Sequence, residues 1–252
     1  MGKISNSIED GTSKLTIEDI EVGGKCIFLR VDFNVPLDRQ RNITDDTRIR
    51  SALPTINYLL DEGAKVVIAA HLGRPKGKPD PKYSLAPVAK RLSRLAEKEC
   101  PLAPDCVGPE VKRIVDGMKP GSLLLLENLR FNEGEEKDSE EFAKELASLA
   151  DIYVSDAFGN AHRKHASMAA ITKFVNPAVA GFLLLKEVSY LSRAVNNPMR
   201  PVVAILGGAK ASTKIGIIER LLSKMDKIVI GGGMAGTFHR ALGYEMGKSL
   251  VE

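Results

Sequence analysis

Leu29-Arg30-Val31-Asp32-Phe33-Asn34-Val35-Pro36 decides how the rest of the chain is read. Lys25-Cys26-Ile27-Phe28-Leu29 leads into it as an apolar run. A continuous apolar run bounded by turn residues fits a strand buried on both faces of a parallel sheet. Asp32 and Asn34 flank Phe33 just past its end, and Pro36 stops the pairing. Open α/β sheets bind ligands at the carboxyl ends of their strands, so polar residues there are candidates for a site. Asp and Asn also shape turns for purely local reasons, so this stretch alone leaves both readings open.

The same event recurs down the chain. Lys65-Val66-Val67-Ile68-Ala69-Ala70 runs into His71-Leu72-Gly73-Arg74-Pro75. Ser122 to Leu126 runs into Glu127-Asn128-Leu129-Arg130-Phe131, and Asp151 to Val154 into Ser155-Asp156-Ala157-Phe158-Gly159-Asn160-Ala161-His162-Arg163. Between these runs, apolar residues at helical spacing predict helices over 48–60, 85–99, 109–118 and 140–150. The acidic run 133–141 reads as a solvated loop and helix start, because acids favour the amino end of a helix. Residues 177–194 read as a long helix, and residues 1–16 as a polar, partly mobile tail.

Alternating strands and helices without hairpin signals predict an α/β fold with a parallel, doubly wound, Rossmann-like sheet. All its strand ends then meet at one edge. Asp32, Asn34, Arg48, His71, Arg74, Arg130, Asp156, His162 and Arg163 collect there. Several arginines on one edge repel one another unless a polyanion or a set of carboxylates compensates them. Arg holds phosphate and carboxylate in a two-pronged geometry, which favours a small anionic ligand. Pairing with Asp32, Glu127 and Asp156 is the structural alternative.

Asn196-Asn197-Pro198-Met199-Arg200-Pro201 punctuates the chain and predicts a boundary. Strands over 202–206 and 227–230, with helices over 213–225 and 235–242, form a second α/β part. Gly207-Gly208-Ala209-Lys210-Ala211-Ser212-Thr213-Lys214 joins a strand to a helix. Glycines there let a backbone approach phosphate at the electropositive helix start. Gly231, Gly233 and Gly236 match the GxGxxG dinucleotide spacing. That match is weak, because no second strand and acid follow at the required distance.

Composition excludes several classes. The 252 residues carry a modest net charge of +4 and no Trp, which argues against a nucleic-acid stacking platform. Three cysteines, Cys26, Cys100 and Cys106, without CxxC spacing indicate neither a disulfide framework nor zinc. His162 and His165 lack an evident third metal ligand. Asn6 spoils a myristoylation signal at Met1-Gly2. No apolar run is long enough to span a bilayer, and the expected location is the cytoplasm.

Taken in order, the motifs Val31–Pro36, His71–Pro75, Leu126–Phe131, Asp156–Gly159, Ala161–Arg163 and Gly207–Lys210 resemble phosphoglycerate kinase from about residue 17 onward. The resemblance implies a phosphoglycerate-binding lobe over 1–181 and an interlobe helix and linker over 182–200. Residues 201–252 would begin a nucleotide-binding lobe, incomplete here, with a hinge closing the two. It implies reversible phosphoryl transfer between 1,3-bisphosphoglycerate and ADP, giving 3-phosphoglycerate and ATP. Asp32, Phe33, Asn34, Arg48, His71, Leu72, Gly73, Arg74, Arg130 and Arg163 would bind the phosphoglycerate. Arg48 and Lys210 would attend the phosphoryl group in transfer. Gly208, Lys210, Lys214, Gly231 and Gly232 would bind the nucleotide. Mg²⁺ would arrive with ATP or ADP, its protein ligand lying outside this sequence. A monomer without nucleic-acid or membrane partners is implied, and residues 1–252 alone are expected to transfer phosphoryl barely or not at all. Thr213 stands where the family usually has Asp, Gly236 where it has a bulkier residue, and Ala70 replaces a common Ser. A non-catalytic binding module and a dinucleotide enzyme using Gly231–Gly236 are the competing readings.

Overall fold

The computed structural model describes residues 14–252, which form two compact units, one ending at Val188 and one running from Ser189 to Glu252. Most of the tail expected over 1–16 lies outside the described residues. Its last residue, Thr16, is fully buried and bridges to Ala180, so that residue belongs to the fold and not to a mobile tail.

The first unit is built on five parallel strands: β1 (Cys26–Val31), β2 (Lys65–Ala69), β3 (Leu123–Leu125), β4 (Ile152–Asp156) and β5 (Ala178–Ala180). Their order across the sheet is β3-β2-β1-β4-β5. The chain therefore winds outward one way from β1 through β2 to β3, then returns to the other side of β1 with β4. That reversal between β1 and β4 is a topological switch point, where doubly wound sheets open a crevice at the strand ends.

Strand alternation sends Ile27, Leu29 and Val31 to one face, against Ile49, Ile56 and Leu59 of α1 (Thr47–Asp61) and Leu92 of α2 (Ala86–Leu95). Phe28, Val67, Leu124 and Tyr153 face the other side, against Val111 of α3 (Pro109–Asp116). α4 (Glu133–Glu136) and α5 (Glu140–Ala147) complete that second layer, where Phe142 and Leu146 are buried. Each fully buried side chain of this size contributes about 1.5–3 kcal/mol relative to exposure. By the same alternation Arg30 falls on the Phe28 side, and it is buried there.

Several expected boundaries move. The helix expected over 85–99 ends at Leu95, because Glu97 takes a left-handed backbone (φ 52°) and Lys98 N–H turns back to Ser93 O at 3.2 Å. The acidic run is not all solvated loop. Asn132 accepts from Gly134 N and caps α4, and Glu135 within it is fully buried. The helix expected from 177 starts only at Phe182, as α6 (Phe182–Asn196), after the strand β5. Gly181 permits that change of direction, since a Cβ there would stand 2.5 Å from Asp156 Oδ1.

In the second unit β6 (Val203–Gly207) pairs in parallel with β7 (Lys227–Gly231). A 3₁₀ turn over Ser212–Lys214 shortens the helix expected over 213–225 to α7 (Ile215–Leu222). α8 (Gly233–Ala241) starts two residues before its expected position.

Candidate functional site

The switch-point edge brings together residues from four strand ends. Asn34 Oδ1 accepts Gly73 N–H at 2.9 Å, tying the end of β1 to the end of β2. Gly73 sits at φ 62°, and a Cβ there would meet the Tyr83 ring at 2.4 Å, so the turn requires glycine twice over. Asn128, fully buried after β3, accepts Leu72 N–H at 3.3 Å and donates to Leu72 O at 2.7 Å and Tyr83 O at 2.9 Å. It also accepts Arg130 N–H at 3.1 Å. These bonds stitch three strand-end loops into one frame.

The cations sit on that frame. Arg48, half-exposed on the first turn of α1, is ion-paired with Asp32. Arg130 is 4% exposed; its Nη1 donates to Gly73 O at 2.8 Å and its Nε stands 3.2 Å from Glu136 Oε1 without hydrogen-bond alignment. Burial lowers its basicity, and the charges of Arg163 and Arg30 add to that effect against Glu136. Arg163 is half-buried with its Nε unpartnered, and Asn160 Nδ2 nearby in sequence is likewise buried without an acceptor. Arg74 and His162 are exposed. His71 is buried, and its pKa is pushed down to about 2 by that burial and by Arg30, Arg130, Arg163 and His165, so the ring is neutral.

A cleft of about 480 Å³ opens beside Asn34, Leu72 and Gly73, with Arg39, Arg41 and Lys82 also in its lining. Buried donors without a hydrogen-bonded acceptor, Arg41 Nε, Arg163 Nε and Asn160 Nδ2, with Arg130 Nε misaligned on Glu136, favour an anionic ligand rich in acceptor oxygens.

Three expected members of the edge need correction. The Phe33 and Leu72 side chains are buried in the core, at 0% and 3% exposure, which leaves only their backbones to face a ligand. Asp156 does not join the arginines. It is buried, and its Oδ1 accepts Leu184 N–H at 3.0 Å at the start of α6, while Thr55 Oγ1 accepts Phe182 N–H at 3.0 Å. Of the pairings expected as the structural alternative, Arg48 with Asp32 forms. Glu127 instead accepts from Ser84 Oγ at 2.7 Å and Leu85 N at 2.8 Å.

Burial raises the Asp156 carboxyl to about 6, against its hydrogen bonds from Leu184 and Thr55. The unfolded carboxyl ionises near pH 4. Between those values the unfolded chain has released a proton that the folded chain keeps. Stability contributed through Asp156 therefore falls as pH rises from about 4 to about 6 and is level above. Asp156→Asn is expected to remove that slope. Urea unfolding of both proteins at pH 4, 5, 6 and 7 checks it: the wild-type minus variant difference should decline up to pH 6 and then hold constant.

Sequence reading missed four residues. Arg30, Glu135, His165 and Ser167 form a buried polar cluster behind His71. Ser167 Oγ donates to Glu135 Oε1 at 2.7 Å, Ser167 N–H to Oε2 at 3.0 Å, and His165 Nδ1 lies 3.6 Å from Oε1. Burial alone would raise Glu135, but the His165 contact, the Arg30 charge and Ser167 outweigh it and hold the carboxyl below its ordinary range. The available signal was Arg30 itself, a charge inside an otherwise apolar buried strand.

The second unit supplies two glycine turns side by side. Gly207 pairs with Gly231, Met234 N–H donates to Gly208 O at 2.9 Å, and Gly232 sits at φ 65°. A Cβ on Gly232 would stand 3.3 Å from Gly208 O. Lys214 lies across Gly208, Lys210 is exposed, and Thr213 Oγ1 donates to Lys210 O at 3.0 Å. Gly236 serves packing: a Cβ there would lie 2.6 Å from Leu250 O. Among the described residues no group of three or more His, Cys, Asp or Glu could hold a metal. Glu252, the carboxylate at the 207–214 turn, already accepts Ser212 N–H at 2.8 Å. These residues do not make a protein-held Mg²⁺ site.

Residues 17–252 match the family model for phosphoglycerate kinase. The phosphoglycerate kinase of Geobacter metallireducens is 62% identical over 237 residues, 94% of this chain and 60% of that protein. That of Aquifex aeolicus is 61% identical over 239 residues, 95% of this chain and 60% of that protein. The solved phosphoglycerate kinase of Coxiella burnetii superposes with a TM-score of 0.83 at 44% identity, covering 95% of this chain and 60% of that one. The chain thus spans about 60% of the length of the curated relatives it matches.

Proposed function

The chain belongs to the phosphoglycerate kinase family, and from that premise we propose that its strand-end edge binds 3-phosphoglycerate or 1,3-bisphosphoglycerate for reversible phosphoryl exchange with ADP and ATP in glycolysis. One observation carries the reading: the Arg163 Nε without an acceptor, and the Arg130 Nε with only a misaligned ion pair to Glu136, at an edge that also holds Arg48 and Arg74. A ligand with a carboxylate and a phosphate supplies the acceptors this edge lacks.

In this reading Asp32 and Asn34 take the glycerate hydroxyl region, and His71, Arg74, Arg130 and Arg163 hold the anionic groups. The backbones of Phe33, Leu72 and Gly73 form the floor. Arg48 faces the phosphoryl group in transfer and Lys210 follows it. Phosphoryl transfer asks for alignment and cancellation of charge more than covalent help. An acyl phosphate is an activated donor, so no general base is needed toward ATP. Gly208, Lys210, Lys214, Gly231 and Gly232 take the nucleotide phosphates at the start of α7 and α8. Magnesium enters with the nucleotide and neutralises its phosphates. Residues 1–181 serve as the phosphoglycerate lobe, 182–200 as interlobe helix and linker, and 201–252 as the beginning of the nucleotide lobe. The protein works as a cytoplasmic monomer, without nucleic-acid or membrane partners. No helix among the described residues is long and apolar enough to cross a membrane.

Backbone NMR during titration with 3-phosphoglycerate tests the acid site. Shifts confined to residues 32–34, 48, 71–74, 130 and 163 support it, and saturation without shifts in those segments removes it.

A further inference from the structure

The buried cluster behind His71 has a chemical direction. Arg30 Nη2 lies 3.4 Å from His71 Nδ1. A guanidinium carries donors only and keeps its proton, so Nδ1 is the acceptor and bears no hydrogen. The single ring proton of a neutral imidazole then resides on Nε2. Arg30 is itself held from three sides. Its Nε donates to Ser167 Oγ at 2.9 Å, and its Nη1 donates to Val31 O. Ser167 Oγ has one proton, which goes to Glu135 Oε1 at 2.7 Å, so the hydroxyl can only accept from Arg30. Tyr153 Oη donates to Ser167 O at 3.0 Å and pins that segment to β4.

We infer that Arg30 is a positioning residue that locks His71 as the neutral Nε2–H tautomer, so that the ring acts toward the acid as a directed hydrogen-bond donor and not as a cation. The charges facing the ring agree. Burial first, then Arg30 from β1, Arg130 from the turn after β3, and Arg163 and His165 from the segment after β4, disfavour a second proton on the ring, so the tautomer is set by the Arg30 contact. Glu135, the carboxylate of the cluster, is engaged by Ser167 and His165. The inference rests on the acid-site reading only in saying what the Nε2 proton is for.

Long-range ¹H–¹⁵N correlation spectra of the histidines, without ligand, between pH 5.5 and 8 test it. His71 is assigned by the signal lost in His71→Asn. The expected pattern is a pyridine-type Nδ1 and a pyrrole-type Nε2, unchanged across the range. A pyrrole-type Nδ1, or a ring that titrates to imidazolium there, overturns the inference. In the double variant Arg30→Met with Glu135→Gln, which leaves neither charge buried alone, the His71 signals should become tautomer-averaged while the ring stays neutral, because its burial and the Arg130 and Arg163 charges remain. Arg30→Lys, still a donor-only cation, should restore the locked pattern. A locked pattern persisting in the double variant also overturns the role of Arg30. Should the double variant not fold, the wild-type spectrum still decides. Because the spectra need no ligand, a locked tautomer with no binding of 3-phosphoglycerate would remove the functional reading alone.

Discussion

Glu135→Ala is expected to lower folding stability by about 3–5 kcal/mol, the usual cost of removing one partner from a buried ionic cluster. The residue is fully buried, and both its oxygens accept from Ser167. Without it, the Arg30 guanidinium stays buried with Ser167, Val31 O and the neutral His71 as partners but no carboxylate in the cluster. The loss is one of compensation more than of attraction. Removing both charges in Arg30→Met with Glu135→Gln is therefore expected to cost less than Glu135→Ala alone. Urea unfolding of the three proteins at pH 7 checks the order. A single variant within about 0.5 kcal/mol of wild type, the range of an ordinary surface change, would mean water or rearrangement relieves the charge.

Much of the candidate edge could be read from local pattern. Apolar runs that end in polar residues placed Asp32, Asn34, His71 and Arg130 at strand ends, and β1, β2 and β4 lie near their expected positions. Side-chain direction was less legible. Phe33 follows Asp32 at the strand end, yet its ring turns into the core, since a bulky apolar side chain gains more from burial than from facing a polar ligand. Glu135 sits in an acidic run whose other members are solvated or half-exposed. Its contacts with His165 and with Ser167, 32 residues on, and the charge of Arg30 distinguish it. Arg30 meets Ser167 across 137 residues, a pairing no local window contains. β5 was hidden for another reason. Three residues are too few to declare a strand period, and the Ala-rich composition suits a helix until Gly181 and Asp156 are known to touch.

Arg48→Ala is expected to weaken 3-phosphoglycerate binding tenfold or more while leaving the fold intact. A charge-assisted hydrogen bond is worth roughly 1.5–3 kcal/mol, and about 1.4 kcal/mol is a factor of ten in affinity. Arg48 is half-exposed, and its ion pair with Asp32 is the surface kind that contributes at most about 1 kcal/mol to folding. Arg130→Ala is expected to weaken binding by a similar factor but to destabilise as well. Its side chain is 4% exposed, and its Nη1 holds Gly73 O at 2.8 Å, which closes the His71–Pro75 turn onto the loop after β3. The two variants thus separate a ligand contact from a contact that also builds the site. Calorimetric titration with 3-phosphoglycerate, paired with urea unfolding, reads both quantities. Raising ionic strength should reduce wild-type affinity more than that of either variant, because each removes one of the charges that salt screens. Unchanged affinity in both variants would take the acid off this edge and leave the arginines as purely structural, compensated by Asp32, Glu135 and Glu136.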